Sequence, residues 1–149
     1  MVKISTKSSM PRLRQTLTSL AQSLEVGVFA DAGMNGSISN AEAAIFFEYG
    51  TSRQPPRPWI SRVMAEQSNK YAQLLADMTA RVFRGTTTPA IAINELGQTA
   101  VNDIQQFLYQ GKATPPLAPS TIASKGSATP GIDSGQMVSS VSYRLKETK

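Results

Sequence analysis

The sequence predicts an α+β fold: a long antiparallel helix pair packed on a small mixed or antiparallel sheet, with an extended proline-rich arm and a long loop. Three observations carry it. Two apolar stripes of helical period lie on either side of a short Gly-Thr loop near position 86. Short stretches of alternating apolar residues lie near 25–31 and 141–145. The segments 50–58 and 112–132 are rich in Pro, Ser, Thr and Gly and have no period. At 149 residues the chain is expected to form a single domain.

Taken in order, Ser9 and Pro11 read as the cap and first turn of an N-terminal amphipathic helix within 1–24, with Leu13, Leu17, Leu20 and Leu24 as its stripe. The next stretch, EVGVFAD (25–31), alternates Val26, Val28 and Ala30 with other residues and reads as a strand. AGMNGSIS (32–39) reads as a flexible turn. Ser39 and Glu42 then have capping-box spacing ahead of AAIFFEYG, a helix that Gly50 can close in the left-handed conformation.

Pro55, Pro56 and Pro58 hold 50–58 extended and remove three amide donors. Pro58 is suited to open a long helix, in which Ile60, Val63, Met64, Gln67, Tyr71, Leu74, Leu75, Met78 and Val82 keep the helical period. That helix is expected to run about 25 residues, roughly 37 Å. Thr88 and Pro89 start its partner, with a stripe from Ile93 through Leu96, Ala100, Ile104 and Phe107 to Leu108, and Gly111 as its end. Two amphipathic helices joined by a short loop pack antiparallel. The loop 112–132 is expected to hold one helical turn at STIAS. A short helix at SGQMVSS and a strand carrying Val141, Tyr143 and Leu145 close the pattern.

Composition narrows the chemistry. The chain has no Cys and no His, which excludes disulfides, thiolate chemistry, zinc fingers and His-based triads. The ten acidic residues are scattered singly, so no local carboxylate cluster is available to a hard metal. No cofactor, metal or catalytic residue is expected. No apolar run is long enough for a transmembrane helix, no membrane partner is expected, and the start MVKISTKSSM lacks the apolar core of a signal peptide. A cytosolic start is the simplest reading. The formal charge of +5 admits a nucleic-acid or acidic partner, yet no RNA-binding or helix-turn-helix signature accompanies it.

Asp133-Ser134-Gly135 matches the tripeptide of aspartic proteases. Those enzymes bring two such aspartates together and place each in a loop between apolar strands. Here there is one copy, preceded by SATPG. The competing reading makes Asp133 the N-cap of a D-x-x-Q box with Gln136, and Ser134 and Gly135 part of the same turn. Glu48 and Tyr49 near Arg53 read as no more than a surface ion pair.

Three phrases, in order, resemble one family: AIFFEYGTSRQPPRPWISRVM (44–64), PPLAPSTIASKGS (115–127) and PGIDSGQMVSSVSYRL (130–145). The family is the tail-completion, or head–tail joining, proteins of tailed bacteriophages, often described as neck, minor tail or virion morphogenesis proteins. Its pattern has a helix ending in Glu-aromatic-Gly-Thr, matched by Phe47 to Thr51, and then Pro-x-Arg-Pro-aromatic, matched by Pro56, Arg57, Pro58 and Trp59. The later elements are matched by Thr121, Lys125, Asp133 to Met137, Ser140 and Tyr143. The likeness covers roughly residues 25–147, and the ordered set is more specific than any one phrase. Two positions depart from the pattern: Phe47 stands where His is common, and Gly131 where an apolar residue is usual.

The resemblance implies a structural virion protein in the neck or tail, made in the host cytoplasm. It would form a homo-oligomeric ring, a hexamer by the tail's symmetry, that completes the tail so that the DNA-filled head can join. Its partners would be other neck and tail proteins: a connector or adaptor, the tail terminator and the tail tube. Passing contact with DNA is also implied, although DNA must move freely, which favours an acidic neighbour for the basic surface. The close alternative is a tail terminator that caps tube growth; a different class is a basic nucleic-acid-binding protein. Ring contacts are heterologous and close by rotation. Tyr49, Thr51, Arg53, Pro56, Arg57, Pro58 and Trp59 are the candidate interface, because a rigid Pro-rich segment loses little entropy on docking and Trp and Arg often anchor interfaces. Trp59 has a second reading as part of the subunit's own core. The 112–132 loop is expected to order on assembly.

Overall fold

The computed structural model describes residues 23–126 and 128–146. Within them the protein is α+β, with strands β1 (Ser23–Gly27), β2 (Met34–Asn35), β3 (Ile38–Ser39) and β4 (Ser142–Lys146). The helices are α1 (Asn40–Tyr49), α2 (Ile60–Glu66), α3 (Ser68–Phe83), α4 (Pro89–Tyr109), α5 (Pro119–Lys125) and α6 (Gln136–Ser139). The helix expected before Leu24 lies outside the described residues apart from its last positions. There the expectation fails: Leu24 sits in β1, opposite Leu145 of β4.

α3 and α4 form the expected antiparallel pair. Arg81 of α3 bonds Glu95 of α4 at 2.6 Å and Lys70 bonds Asp103 at 2.7 Å, so the partners run in opposite directions along the two helices. α4 starts as its sequence dictates, with Thr88 accepting the Ile91 amide at 3.3 Å and Pro89 in the first turn. Its buried face includes Ile93, Ala100, Val101, Ile104, Phe107 and Leu108. α4 also packs on the two-stranded antiparallel sheet β1–β4. Gly97 makes that approach possible, because a Cβ there would lie 2.4 Å from the Tyr143 ring.

The single helix expected from Pro58 to Val82 is divided. Gln67 leaves helical geometry (φ −97°, ψ 5°) between α2 and α3. The hydroxyl of Ser68 donates to the Ala65 carbonyl at 2.9 Å, a back-bond that competes with the helix ladder and bends it. The expected stripe is only partly buried: Met64 and Leu75 are exposed, whereas Val63, Met78 and Val82 are buried.

Other local expectations are refined. The strand expected over 25–31 begins at Ser23 and ends at Gly27, leaving Ala30 exposed. The turn at 32–39 is a small hairpin, β2 against β3, and Asn40 ties it to α1 by donating to the Ala32 carbonyl at 2.9 Å. The capping box is complete: the Glu42 amide donates to the Ser39 hydroxyl at 3.1 Å, and the Ser39 amide to the Glu42 carboxylate at 2.9 Å. The single turn expected at STIAS extends to the seven-residue α5. Among the described residues, no helix is long and apolar enough to cross a membrane.

Candidate binding groove

The three phrases that are apart in sequence meet around α1. α1 is apolar on both sides. Ala44, Phe47 and Glu48 face inward, while Ile45, Phe46 and Tyr49, at helical spacing, are exposed. Gly50 closes α1 with its amide on the Phe46 carbonyl, but at φ 76° and ψ −180°, an extended glycine-only conformation and not the left-handed one expected. A Cβ at Gly50 would lie 2.6 Å from the Pro56 nitrogen and 2.7 Å from the Gln54 carbonyl. Thr51 and Gln54 exchange backbone bonds of 2.8 and 3.3 Å, which folds the arm into a tight turn before it extends again.

Glu48 overturns its expected role. It is buried, and its carboxylate accepts the amides of Trp59 at 2.8 Å, Ile60 at 3.1 Å and Ser61 at 3.2 Å, together with the Ser61 hydroxyl. These are orphan donors at the start of α2, whose own N-cap position is Trp59 and supplies no side-chain bond. A carboxylate from α1 thus caps α2 from outside and compensates the positive end of its dipole. Spacing reasoning missed this because the partner lies eleven or more residues away.

Two members of the expected interface are corrected. Trp59 is fully buried in the subunit's own core, edge-on to Phe47 at 6.2 Å between ring centres. Arg57 retains only 5% exposure; its Nε donates to the Pro115 carbonyl at 2.6 Å and a terminal nitrogen to the Pro116 carbonyl at 3.2 Å. Its guanidinium also lies 5.9 Å from the centre of the Phe47 ring, and burial pulls its pKa down. Trp59 fills a space inside the subunit and offers no outward face, whereas Arg57, held by the Pro115 and Pro116 carbonyls, borders solvent only through a groove. Tyr49, Thr51, Arg53, Pro56 and Pro58 remain exposed.

Asp133 does not cap α6. Gly135 occupies the N-cap position with φ 76°, whereas a side-chain cap needs extended backbone there. The Asp133 carboxylate is 64% exposed and lies 3.9 Å from Lys125, while Ser134 accepts the Gln136 amide at 3.4 Å.

Between α1, the arm, α5 and the start of α6 lies a groove of about 420 Å³. Its apolar lining includes Ile38, Phe46, Phe47, Leu117 and Met137, and its charged lining is Arg53, Arg57, Lys125 and Asp133. The groove can hold a few side chains together with one or two anionic groups. Among the described residues, no group of His, Cys, Asp and Glu could hold a metal ion. No family model matches the chain, and no curated protein or solved structure is significantly similar to it.

Proposed function

We propose that this protein is a structural subunit of a tailed-bacteriophage virion, one that forms a ring at the neck or tail end and completes the tail for joining to the DNA-filled head. The observation that carries the reading is convergence. Residues from all three phrases that bear the resemblance line one groove; Arg57 ties the first phrase to the second through the Pro115 and Pro116 carbonyls, and Phe47 packs beside Gly131 of the third. A shared sequence pattern whose parts meet in space supports a common fold behind the resemblance.

The surface is also suited to a ring subunit. Ile45, Phe46 and Tyr49 expose an apolar helix face next to the exposed arm residues Thr51, Arg53, Pro56 and Pro58. An apolar patch with a polar rim is the usual anatomy of a contact between subunits. The ring would be homo-oligomeric, sixfold to match the tail, with connector, terminator and tube proteins as its neighbours.

The test is electron microscopy of lysates from a phage lacking this gene. Full heads and normal-length tails lying unjoined are expected. Tails of uncontrolled length would instead assign the protein as a tail terminator. Intact, infectious particles would overturn the structural role.

A further inference from the structure

Arg57 presents an unbalanced charge. Arg57 as a residue retains only 5% exposure, yet among the described residues no carboxylate lies within ion-pair distance of its guanidinium. Its bonds go to two neutral carbonyls, those of Pro115 and Pro116. A buried cation balanced only by dipoles is costly, and an anion brought beside it recovers that cost. Arg57 lines the groove, so the groove is where such an anion would arrive.

Two more cations lie along the same groove. Arg53 has no ion pair among the described residues, and Lys125 has only the long 3.9 Å contact with exposed Asp133. The lining therefore carries three cations and one acid, beside apolar surface from Phe46, Phe47 and Met137. Phe46 is 42% exposed, an uncovered aromatic at the mouth.

We propose that this groove binds a peptide segment of a partner protein, one that carries a Glu or Asp next to a bulky apolar side chain. The carboxylate meets Arg57, Arg53 and Lys125, and the apolar neighbour covers Phe46, Phe47 and Met137. Arg and carboxylate pair through parallel charge-assisted bonds, which gives the site its preference for a planar acid. The low exposure of Arg57 argues against a nucleic-acid phosphate. A duplex backbone is a broad ridge that meets exposed cations, whereas a residue as buried as Arg57 is reached by a single side chain on a narrow stem. The groove offers these contacts whether or not the protein belongs to a virion.

The test is a ¹H–¹⁵N NMR titration of the full chain with N-acetyl-Glu-Phe-amide, and with its Gln counterpart as the neutral isostere. The Glu peptide is expected to give saturable shifts at the Arg57 Nε–H and at the amides of Phe46, Gln136 and Met137. The Gln peptide is expected to bind at least about tenfold more weakly, as is the Glu peptide to the double variant Arg53→Glu, Lys125→Glu. Both substituted residues are at or near the surface, and an otherwise unchanged spectrum verifies the variant's fold. Absence of saturable shifts by about 10 mM peptide, or equal binding of the Gln peptide, would overturn the proposal. Inorganic phosphate or a short DNA duplex shifting the same resonances at lower concentration than the peptide would overturn it in favour of a phosphate site.

Discussion

The carboxylate of Glu48 accepts the backbone amide of Trp59 at 2.8 Å, which joins the last turn of α1 to the first turn of α2 across the proline arm. Both residues are buried, and the same carboxylate takes the two following amides as well. The arm is therefore held at both ends: at Gly50 by backbone packing and at Trp59 by a charge-assisted cap.

Glu48→Ala leaves the amides of Trp59, Ile60 and Ser61 and the Ser61 hydroxyl without their acceptor. The expected loss is about 2–3 kcal/mol of unfolding free energy. Glu48→Gln keeps the volume but sets an amide NH₂ against donors, for roughly half that loss. Ser61→Ala, which removes only the hydroxyl contact, is expected to cost under about 1 kcal/mol. Urea unfolding of the three variants checks the order; a Glu48→Ala midpoint equal to wild type would show that the cap contributes nothing.

Gly97→Ala places two effects in opposition. Alanine gains about 1 kcal/mol of helix propensity in α4, but its Cβ would meet the Tyr143 ring at 2.4 Å. Overpacking of this kind costs about 1–3 kcal/mol, so a net loss is expected. In a Tyr143→Ala background the clash is gone and the sign reverses, with Gly97→Ala stabilising by up to about 1 kcal/mol. A double-mutant cycle measured by thermal or urea unfolding reads the reversal directly.

Arg57→Lys keeps the charge and loses the fork that spans the Pro115 and Pro116 carbonyls. The expected loss is about 1–2 kcal/mol. Because those bonds fasten the segment after α4, tryptic cleavage after Lys112 is expected to accelerate in the variant. Unchanged cleavage would mean that buried Ala113 and its neighbours hold the segment without Arg57.

Two carboxylates set a pH dependence. The Arg144 hydrogen bond holds Asp31 below its ordinary value of 3.8, and the Ser39 amide, followed by the Ser39 hydroxyl, holds Glu42 below its ordinary 4.5. With folded values below unfolded ones, the unfolded chain binds more protons in that window. The stabilisation is therefore complete above about pH 4.5 and is lost as pH falls through the lowered folded values. Asp31→Asn and Glu42→Gln are each expected to flatten the fall of the urea midpoint between about pH 4.5 and 2.5.

What was legible in the sequence is what is local in the chain. The Ser39–Glu42 box and the Thr88–Pro89 start are satisfied within three residues. The α4 stripe repeats its apolar residues on one face whatever covers them. The fold class followed from such signals. The stripe before it was less faithful, because periodicity does not register the Ser68 back-bond that breaks the helix at Gln67. Asp133 misled in a similar way: D-x-x-Q spacing carries no information on the backbone angle that Gly135 adopts.

By itself, then, the sequence determined the α+β class, the antiparallel pair, the capping box of α1 and the proline arm, since each depends on propensities and bonds a few residues long. Tertiary structure alone decided that Glu48 caps α2, that Trp59 and Arg57 turn inward, that β1 pairs with β4, and that three separated phrases enclose one groove. Arg57 reaches carbonyls 58 and 59 residues away, and Arg144 reaches Asp31 across 113. Such partners are chosen by packing, which brings distant residues together only after the elements have formed, and no spacing along the chain encodes that choice.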